Sequence, residues 1–496
     1  MTRRPKSYLA IRGAFDAASR SPEAMRHYRN ADNLSADAAL SATVRNTVIS
    51  RARYECANNG YADGIIQTLA EDTIGTGPRL QLFVSDTAPE AQDETIRRSL
   101  QRREMRFRQW AEAVNLTEKL KISRIAKARD GEVFLRFVQN PKMDNFIKID
   151  LVLYEAEQVG SRILSEYADF WPTGTPKEFD GIQFDEYGNP RNYRFWRIHP
   201  GSAGLAFVSD DSFLVPADEV IHYAHLMRPG QHRGLSEIAS TLNIFNDLRR
   251  FTNATIAAAE TAAEISFLLH TDSPADGDEY EGSAAGKAES PLQFLDVVEL
   301  VRNAGLALPE GWSADQLKAE HPTDKYVEFV DAKLAEAARP LSMPFSVAKG
   351  DCSKSNYASG RLDHQAYHKR IFGERARIDR DILNRCLRIF EDLDRIVYPD
   401  DYRYEDNILH AWMWDGFGHV DPVKEANAQA MRLANRTTTL ADECAREGKD
   451  YELVLRQIAR EIELAARLGV LLPASPAPAI SEEDDNEEKE DPEDSK

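Results

Sequence analysis

The chain has 496 residues, 42% apolar and 29% charged, with a formal net charge of −20 and four scattered cysteines. That is enough for several cores in a mainly soluble-type composition. No C-x-x-C pair suggests a zinc ribbon or a disulfide framework, and no apolar run reaches the roughly 18 residues of a membrane span. The acidic balance argues against tight DNA binding by phosphate neutralisation, which needs a basic surplus.

Residues 1–40 read as an arm. MTRRPKSYLAIRGAF has basic residues but no signal-peptide apolar core, and Asp16 and Glu23 weigh against a transit peptide. Helical spacing runs from Arg45 to Asp72, is interrupted at Asn58–Tyr61 and stops at IGTGP, where Gly75, Gly77 and Pro78 stand together. Two further helices are expected, from about Thr95 to Ala113 and from Leu116 to Arg129, the second ending at Asp130-Gly131.

The period then becomes two. EVFLRFV, FIKIDLVLYEA, GIQFDEY, RNYRFWRI and EVIHYAHLM read as strands, with a hairpin-type turn at Gly188-Asn189-Pro190. PGQHRG, at 229–234, is a turn feeding a long helix from Ser236 to about Phe267, roughly 45 Å long at 1.5 Å per residue. Its second half, ATIAAAETAAE, is nearly all small residues, which let helix axes approach closely. Residues 271–290 are polar, acidic and Gly/Ser-rich, a solvated insertion by composition. A helix from about Lys325 to Arg339 ends at Pro340, SMPFSVAKGDCSKSN is a connecting loop, and another helix runs from Tyr357 to about Ile396 with Gly373 as a candidate kink. The last third is helical, with Asp421-Pro422 and Asp450 as starts and Gly469 as a stop. The segment from Ser481 has ten acids and two bases, net −8, and leaves −12 for the remainder.

No constellation of catalytic type emerges. HQAYH (364–368) sets two imidazoles one turn apart, but Gln365 stands where a zinc protease needs a glutamate base. His222 and His225 lie in a strand pattern that points them to opposite faces. Cys352 has no base and orienter assigned by any sequence signature. PGQHRG lacks the Lys-Ser/Thr of a phosphate loop, so a tight turn is the better reading. KGDCSKSNYASGR, from Lys349, follows a helix rather than a strand and fails as a nucleotide site. It is nevertheless long, mixed in charge and carried between two helices, so it can be aimed at something.

Taken in order, PGQHRGLSEIA, LPEGW with LKAEHP, KGDCSKSNYASGR, and DPVKEANAQAMRL with EGKDYELVLRQIAREIE resemble the lambda-type portal proteins of tailed phages. RARYECANNGYADGII with IGTGP, DGEVFLRF and VPADEVIHYAH fit upstream, so the resemblance runs from about Arg45 to Gly469. The acidic tail and the polar insertion lie outside it, and Ala358 stands where such proteins often have serine.

The resemblance implies a mainly helical α+β portal fold with no catalysis, cofactor or metal. It implies a homo-oligomeric ring, typically a dodecamer, at one capsid vertex of the virion, assembled in the host cytoplasm from a phage or prophage gene. Double-stranded DNA would pass through it weakly and non-specifically. Partners would be the terminase large subunit, a head–tail connector protein and the major capsid or scaffold protein.

Mapped onto this chain, the resemblance gives an arm (1–40), a wing (41–234) and a first stem helix (235–268). A clip (269–324) contains the insertion at 271–290. A second stem helix (325–342) leads to a tunnel loop (343–356). A long wing helix with a return strand (357–419), a crown (420–470) and an acidic tail (471–496) complete it. Ser346, Val347, Lys349, Asp351, Ser353, Lys354 and Asn356 are the expected DNA-facing residues. Ala254, Ala258, Ala259, Ala262 and Ala263 are the expected subunit-packing residues of the stem. A channel for a polyanion should avoid a deep electrostatic well, and the acidic total suits that.

Overall fold

The computed structural model describes residues 18–19, 21–84, 93–161, 169–202, 211–264, 268–271, 312–315, 325–353, 357–403, 408–417 and 422–470. Most of the insertion at 271–290, most of the remaining clip, the acidic tail, Lys354 and Asn356 lie outside the described residues.

Two short helices, α1 (Pro22–His27) and α2 (Ala36–Ala39), precede α3 (Ala42–Asn58) and α4 (Gly60–Ile74). The break between α3 and α4 falls at Asn59, whose side chain accepts from the N–H groups of Tyr61 and Ala62. An amide that caps the second helix therefore ends the first. α4 stops at Gly75, whose φ of 56° disfavours other residues; a Cβ there would meet Asp415 Oδ2 at 2.6 Å.

Strand β1 (Arg79–Val84) leads to α5 (Glu94–Ala113) and α6 (Leu116–Arg129). Next come β2 (Glu132–Gln139), β3 (Ile149–Tyr154), β4 (Glu178–Phe179), β5 (Ile182–Phe184), β6 (Pro190–Trp196), β7 (Ser212–Pro216) and β8 (Val220–Ala224). They form two antiparallel sheets, β3-β2-β8 and β4-β5-β6-β7. Phe134 of β2 joins them by packing into Tyr193 and Phe195 on the second sheet.

The long helix α7 (Leu242–Glu264) begins after a 3-10 turn at Ala239–Thr241, six residues later than the sequence suggests. Residues 236–238 instead anchor to α6, where Ser236 Oγ and the Glu237 N–H both donate to the Ala128 carbonyl. A two-stranded pair, β9 (Leu268–Thr271) and β10 (Trp312–Asp315), follows. Then come α8 (Tyr326–Ala338), α9 (Phe345–Lys349), α10 (Tyr357–Ile378), α11 (Asn384–Val397), β11 (Ile408–Met413), α12 (Pro422–Ala434), α13 (Leu440–Arg446) and α14 (Tyr451–Leu468). The fold is α+β and mainly helical.

Helices α10 and α11 are joined by a π-helical turn at Asp379–Leu383, so the irregularity is there and not at Gly373, which stays inside α10. Strands β1 and β11 pair antiparallel although more than 320 residues apart in the chain, Leu80 opposite Trp412.

Two cores organise the body. One gathers Phe107 and Trp110 of α5, Val133, Leu135 and Phe137 of β2, and Ile382, Cys386 and Phe390 around the π turn and α11. The other gathers Ile65, Ile66 and Leu69 of α4, Phe245 of α7, Ala337 and Ala338 of α8, Met343, Ala348 of α9, and Tyr367 and Ile371 of α10. The turn between α8 and α10 is thus rooted in the second core.

Candidate functional site

The segment from Ser342 to Ser353 connects α8 to α10 and is only partly a loop. Pro344 caps α9, one and a half turns of helix, and Gly350 closes it in the left-handed region at φ 70°. This corrects the expectation of an uninterrupted loop over 343–356. The sequence PFSVAKG has a proline at the start and a glycine at the end, the residues that begin and stop a helix.

The helix decides which side chains look outward. Ser346 and Ala348 are buried and Val347 packs partly against the second core. Ser346, expected to be DNA-facing, is therefore turned into its own subunit. Lys349 and Asp351 are half-buried and Ser353 is exposed. Lys354 and Asn356 lie outside the described residues.

Lys349 Nζ is 2.9 Å from Asp331 Oδ1 on α8 and 3.6 Å from Asp351 Oδ2, and lies over the Phe345 ring. The Asp331 contact raises the Lys349 pKa above its usual value. Hydrogen bonding from the Ser353 hydroxyl, and then from the Ser353 N–H at 2.9 Å, holds the Asp351 carboxyl below the usual range. The one described lysine of the segment is therefore charge-balanced within the subunit. It is not a bare phosphate hook.

What holds this turn in place is a run of buried charges that sequence reading passed over. Arg124 of α6 makes a bidentate pair with Glu237, at 2.9 and 3.0 Å, and both are buried. Arg370 of α10 donates to Glu237 at 2.7 Å and to the Pro340 carbonyl at 2.6 Å. One carboxylate thus ties α6, the entry to α7, α10 and the end of α8. Burial would raise the Glu237 carboxyl pKa, but Arg124, Lys127 and Arg370 override this and hold it well below the usual range.

A second buried junction explains the PGQHRG and DGE motifs. Arg233 is fully buried and donates to Glu132 Oε1 at 2.8 Å and to the carbonyls of Val159, Asp180 and Ala156. Glu132 also accepts from the Gly234 N–H at 2.7 Å and lies 2.8 Å from His222 Nε2. Arg45 closes the group by pairing with Asp180. A Cβ on Gly234 would meet the Gly131 carbonyl at 2.2 Å, and one on Gly131 would meet the Leu235 backbone at 2.5 Å. The glycines permit the backbone approach and the charges lock it, so the turn binds its own protein and not an anion.

The other sequence candidates are not brought together. His222 is in the Glu132 junction, while His225 Nδ1 lies 2.8 Å from the Leu235 carbonyl. His364 and His368 have ring centroids 5.8 Å apart, and His368 stacks on Phe417 at 3.7 Å. Cys352 is exposed. Among the described residues, the one trio with metal-ligand spacing is Glu155, Glu157 and His199. Arg53 already pairs with both glutamates there, and His199 Nδ1 accepts from the Gly201 N–H. On the stem, Ala254 is exposed and Ala258 and Ala259 are half-buried; the side chains of Ala262 and Ala263 lie outside the described residues.

The arrangement is a body locked by buried ion pairs with a charged turn rooted in it. The model of the lambda family of phage portal proteins matches residues 23–375, and the chain belongs to that family. It is 24% identical over 457 residues to a probable portal protein of Halomonas phage phiHAP-1, covering 86% of this chain and 81% of that one. It is 25% identical over 346 residues to the portal protein of Escherichia phage N15, covering 61% and 65%. Among solved structures, the neck of a native gene transfer agent particle aligns at a TM-score of 0.40 and 14% identity, over 81% of this chain and 93% of that one. An HK97-family phage portal protein from Corynebacterium diphtheriae aligns at 0.25 and 10%, over 65% and 83%.

Proposed function

We propose that copies of this chain form a closed ring at one capsid vertex, a dodecamer through which DNA is packaged and ejected. The ring docks the terminase large subunit on one side and a head–tail connector protein on the other, and contacts the major capsid or scaffold protein. It performs no catalysis. In this reading residues 41–234 and 357–419 are the wing, α7 and α8 the stem, 269–324 the clip, 343–356 the tunnel segment and 420–470 the crown.

The observation that carries the reading is the family match, which spans both stem helices and the turn that follows the second. Unpartnered faces support the oligomer. Ala254 and Ile256 of α7 and Val327 of α8 are exposed. On α14, Leu455, Ile458 and Ile462 are exposed at the three- and four-residue spacing of a helix-packing seam. A heterologous contact repeated around an axis closes into a ring when the rotation divides the circle. The tunnel segment suits a sliding polyanion because Lys349, its one described lysine, is already paired.

Light-scattering mass with negative-stain images of the same peak tests the reading. A ring of about a dozen copies with a hole wide enough for duplex DNA supports it. A stable dimer or tetramer without a hole overturns it. Deletion of 349–356 should leave rings intact and impair DNA packaging or retention; normal packaging after the deletion removes the tunnel role.

A further inference from the structure

After β11 the chain forms a ledge at 414–417 that is bolted to the body. Trp414 donates its indole N–H to Asp379 Oδ1, in the π turn, at 3.0 Å. Asp415 Oδ2 accepts from the Thr76 N–H at 2.6 Å and Oδ1 from the Thr76 hydroxyl at 2.8 Å, just past the end of α4. Arg375 of α10 donates to the Asp415 carbonyl at 2.7 Å. Phe417 stacks on His368, with ring centroids 3.7 Å apart. The ledge is therefore fixed to α4, α10 and the π turn at once.

The end of α13 meets this ledge backbone to backbone. A Cβ on Gly416 would overlap the Arg446 carbonyl and stand 2.9 Å from Glu447 Cα, and a Cβ on Gly448 would overlap the Trp414 carbonyl. One glycine on each side permits the approach. Side chains add little to it. Among the described residues beyond Phe417, the buried ones are Glu443, Gly448 and Ala465, and no hydrophobic core includes them. The charges of α12–α14 turn inward on one another: Arg432 of α12 pairs with Glu443 of α13 at 2.9 Å, and Arg446 joins the same carboxylate at 3.0 Å. Where α14 begins, Asp450 and Glu452 act on Glu104 of α5 as like charges. Few buried apolar contacts mark a region that opens at low cost.

We propose that the 414–417 ledge is the pivot of a hinged unit, on which α12–α14 swing together, and that the contact of Gly416 and Gly448 with the opposing backbone is the latch holding the orientation seen here. The chain enters α12 at Pro422, a few residues past the ledge, so the covalent entry and the latch lie close together in the chain. Turning about that place parts one backbone contact and leaves the body's cores intact, as in a hinge closure. The exposed seam of Leu455, Ile458 and Ile462 rides on the swinging unit, so the latch sets where it points. The inference does not depend on the ring reading.

Spin-label distances within one chain test it. The full chain carries Cys352→Ser and Cys444→Ser, with the buried Cys56 and Cys386 left in place, and is diluted into unlabelled chain. Labels at Glu112→Cys of α5 and Arg460→Cys of α14 span the hinge, and labels at Glu112→Cys and Arg51→Cys of α3 stay within the body; all three positions are exposed. Gly416 lies outside the left-handed region, so Gly416→Ala is opposed only by the neighbouring backbone of α13. It should shift the hinge-spanning pair to a second distance and leave the body pair and the melting temperature unchanged. An unchanged hinge-spanning distance overturns the latch, and broadening of both pairs makes the ledge part of the body's packing and overturns the pivot. The chain with Gly416 intact gives a second reading that needs no folding of the variant. Samples frozen from rising temperatures below the melting transition should gain the same second distance. A hinge-spanning distribution as narrow as the body pair's at every temperature overturns the hinge.

Discussion

The junction around Glu132 and Glu237 and the turn around Lys349 are made from the same material, arginine or lysine against carboxylate, and behave as opposites. At the junctions Arg233, Glu132, Arg124 and Glu237 are almost fully buried and the pairs are bidentate or completed by backbone carbonyls. At the turn, Lys349 and Asp331 are nearly a fifth exposed and Asp351 more than a third. A buried pair gains little over an apolar substitute, yet losing one partner strands the other, so it fixes geometry. An exposed pair is worth little and can exchange partners freely. The chain places the fixed kind where α6, β2, α10 and the entry to α7 meet and the exchangeable kind on the segment proposed to meet DNA.

Breaking the fixed side should give the largest effect. Arg233→Ala leaves Glu132 buried without its main counter-charge and frees three carbonyls, a loss of about 3–5 kcal/mol. Urea unfolding of the isolated subunit, followed by tryptophan fluorescence, reads it. A loss below about 1 kcal/mol would mean that the junction is solvated and not a lock.

Glu237→Gln should cost about 2–4 kcal/mol at neutral pH, since it keeps the shape but leaves Arg124 and Arg370 without their charge. Its pH dependence sharpens the contrast. The Glu237 carboxyl is held below its unfolded pKa, so its contribution is present above about pH 4.3 and fades as pH falls toward the folded value. The gap between wild type and variant should therefore narrow in acid. A gap that stays constant from pH 7 to pH 3 would place the cost in packing and not in charge.

How much of this was legible in sequence follows from the same physics. Helices α3 to α6 were readable to within a few residues because their stops are local: Asn59, Gly75 with Gly77, and Gly131 each act on their own backbone. Strand β1 was missed because its partner, β11, is more than 320 residues away and the pairing is set by tertiary contact. The late start of α7 was missed because residues 236–238 follow the helical period but spend their hydrogen bonds on α6. The charged turn was found through its odd composition, but its helical half and the inward Ser346 were not, although proline and glycine bracket them. The junction charges carried one usable sign, a charged residue beside a glycine in DGE and HRG, where close backbone approach leaves a polar group to be satisfied. The pairing of Glu132 with Arg233 has no local signature.

Between the two extremes lies Glu104 of α5, half-buried, accepting from the Leu82 N–H at 2.5 Å. Burial is the main cause that pushes its pKa up to about 7. The Leu82 donor opposes this, and Asp450 at the start of α14 adds to it. The folded protein thus binds a proton more tightly than the unfolded chain, so stability falls as pH rises from about 4.3 to about 7. Glu104→Gln keeps the acceptor and removes the ionisation. It should match the wild type at pH 4 and exceed it by about 1–2 kcal/mol at pH 8, the shift discounted for partial exposure. Equal stability at both pH values would show that the carboxylate is solvated where α5 approaches the start of α14.

The smallest effect on stability should come from the exchangeable side, and it separates the two regions most sharply. Asp331→Asn removes the carboxylate nearest Lys349 while keeping its shape, and surface pairs of this kind are worth about 0–1 kcal/mol, so the melting temperature should barely move. The electrostatic consequence is larger than the thermal one. With one of its two counter-charges gone, Lys349 is more available to phosphate, and a ring multiplies that change by the number of subunits. Contacts to phosphate release counterions, so added binding must carry added salt dependence. Rings of the Asp331→Asn variant should therefore hold DNA more tightly at low salt and package it more slowly, with both differences shrinking as salt is raised. Lys349→Gln should reverse the tighter hold in the double variant. If Asp331→Asn changes melting but not DNA retention, Lys349 is a structural pin like Arg370 and the segment has no electrostatic part in translocation. If it changes retention and not melting, the paired lysine is what lets the polyanion slide.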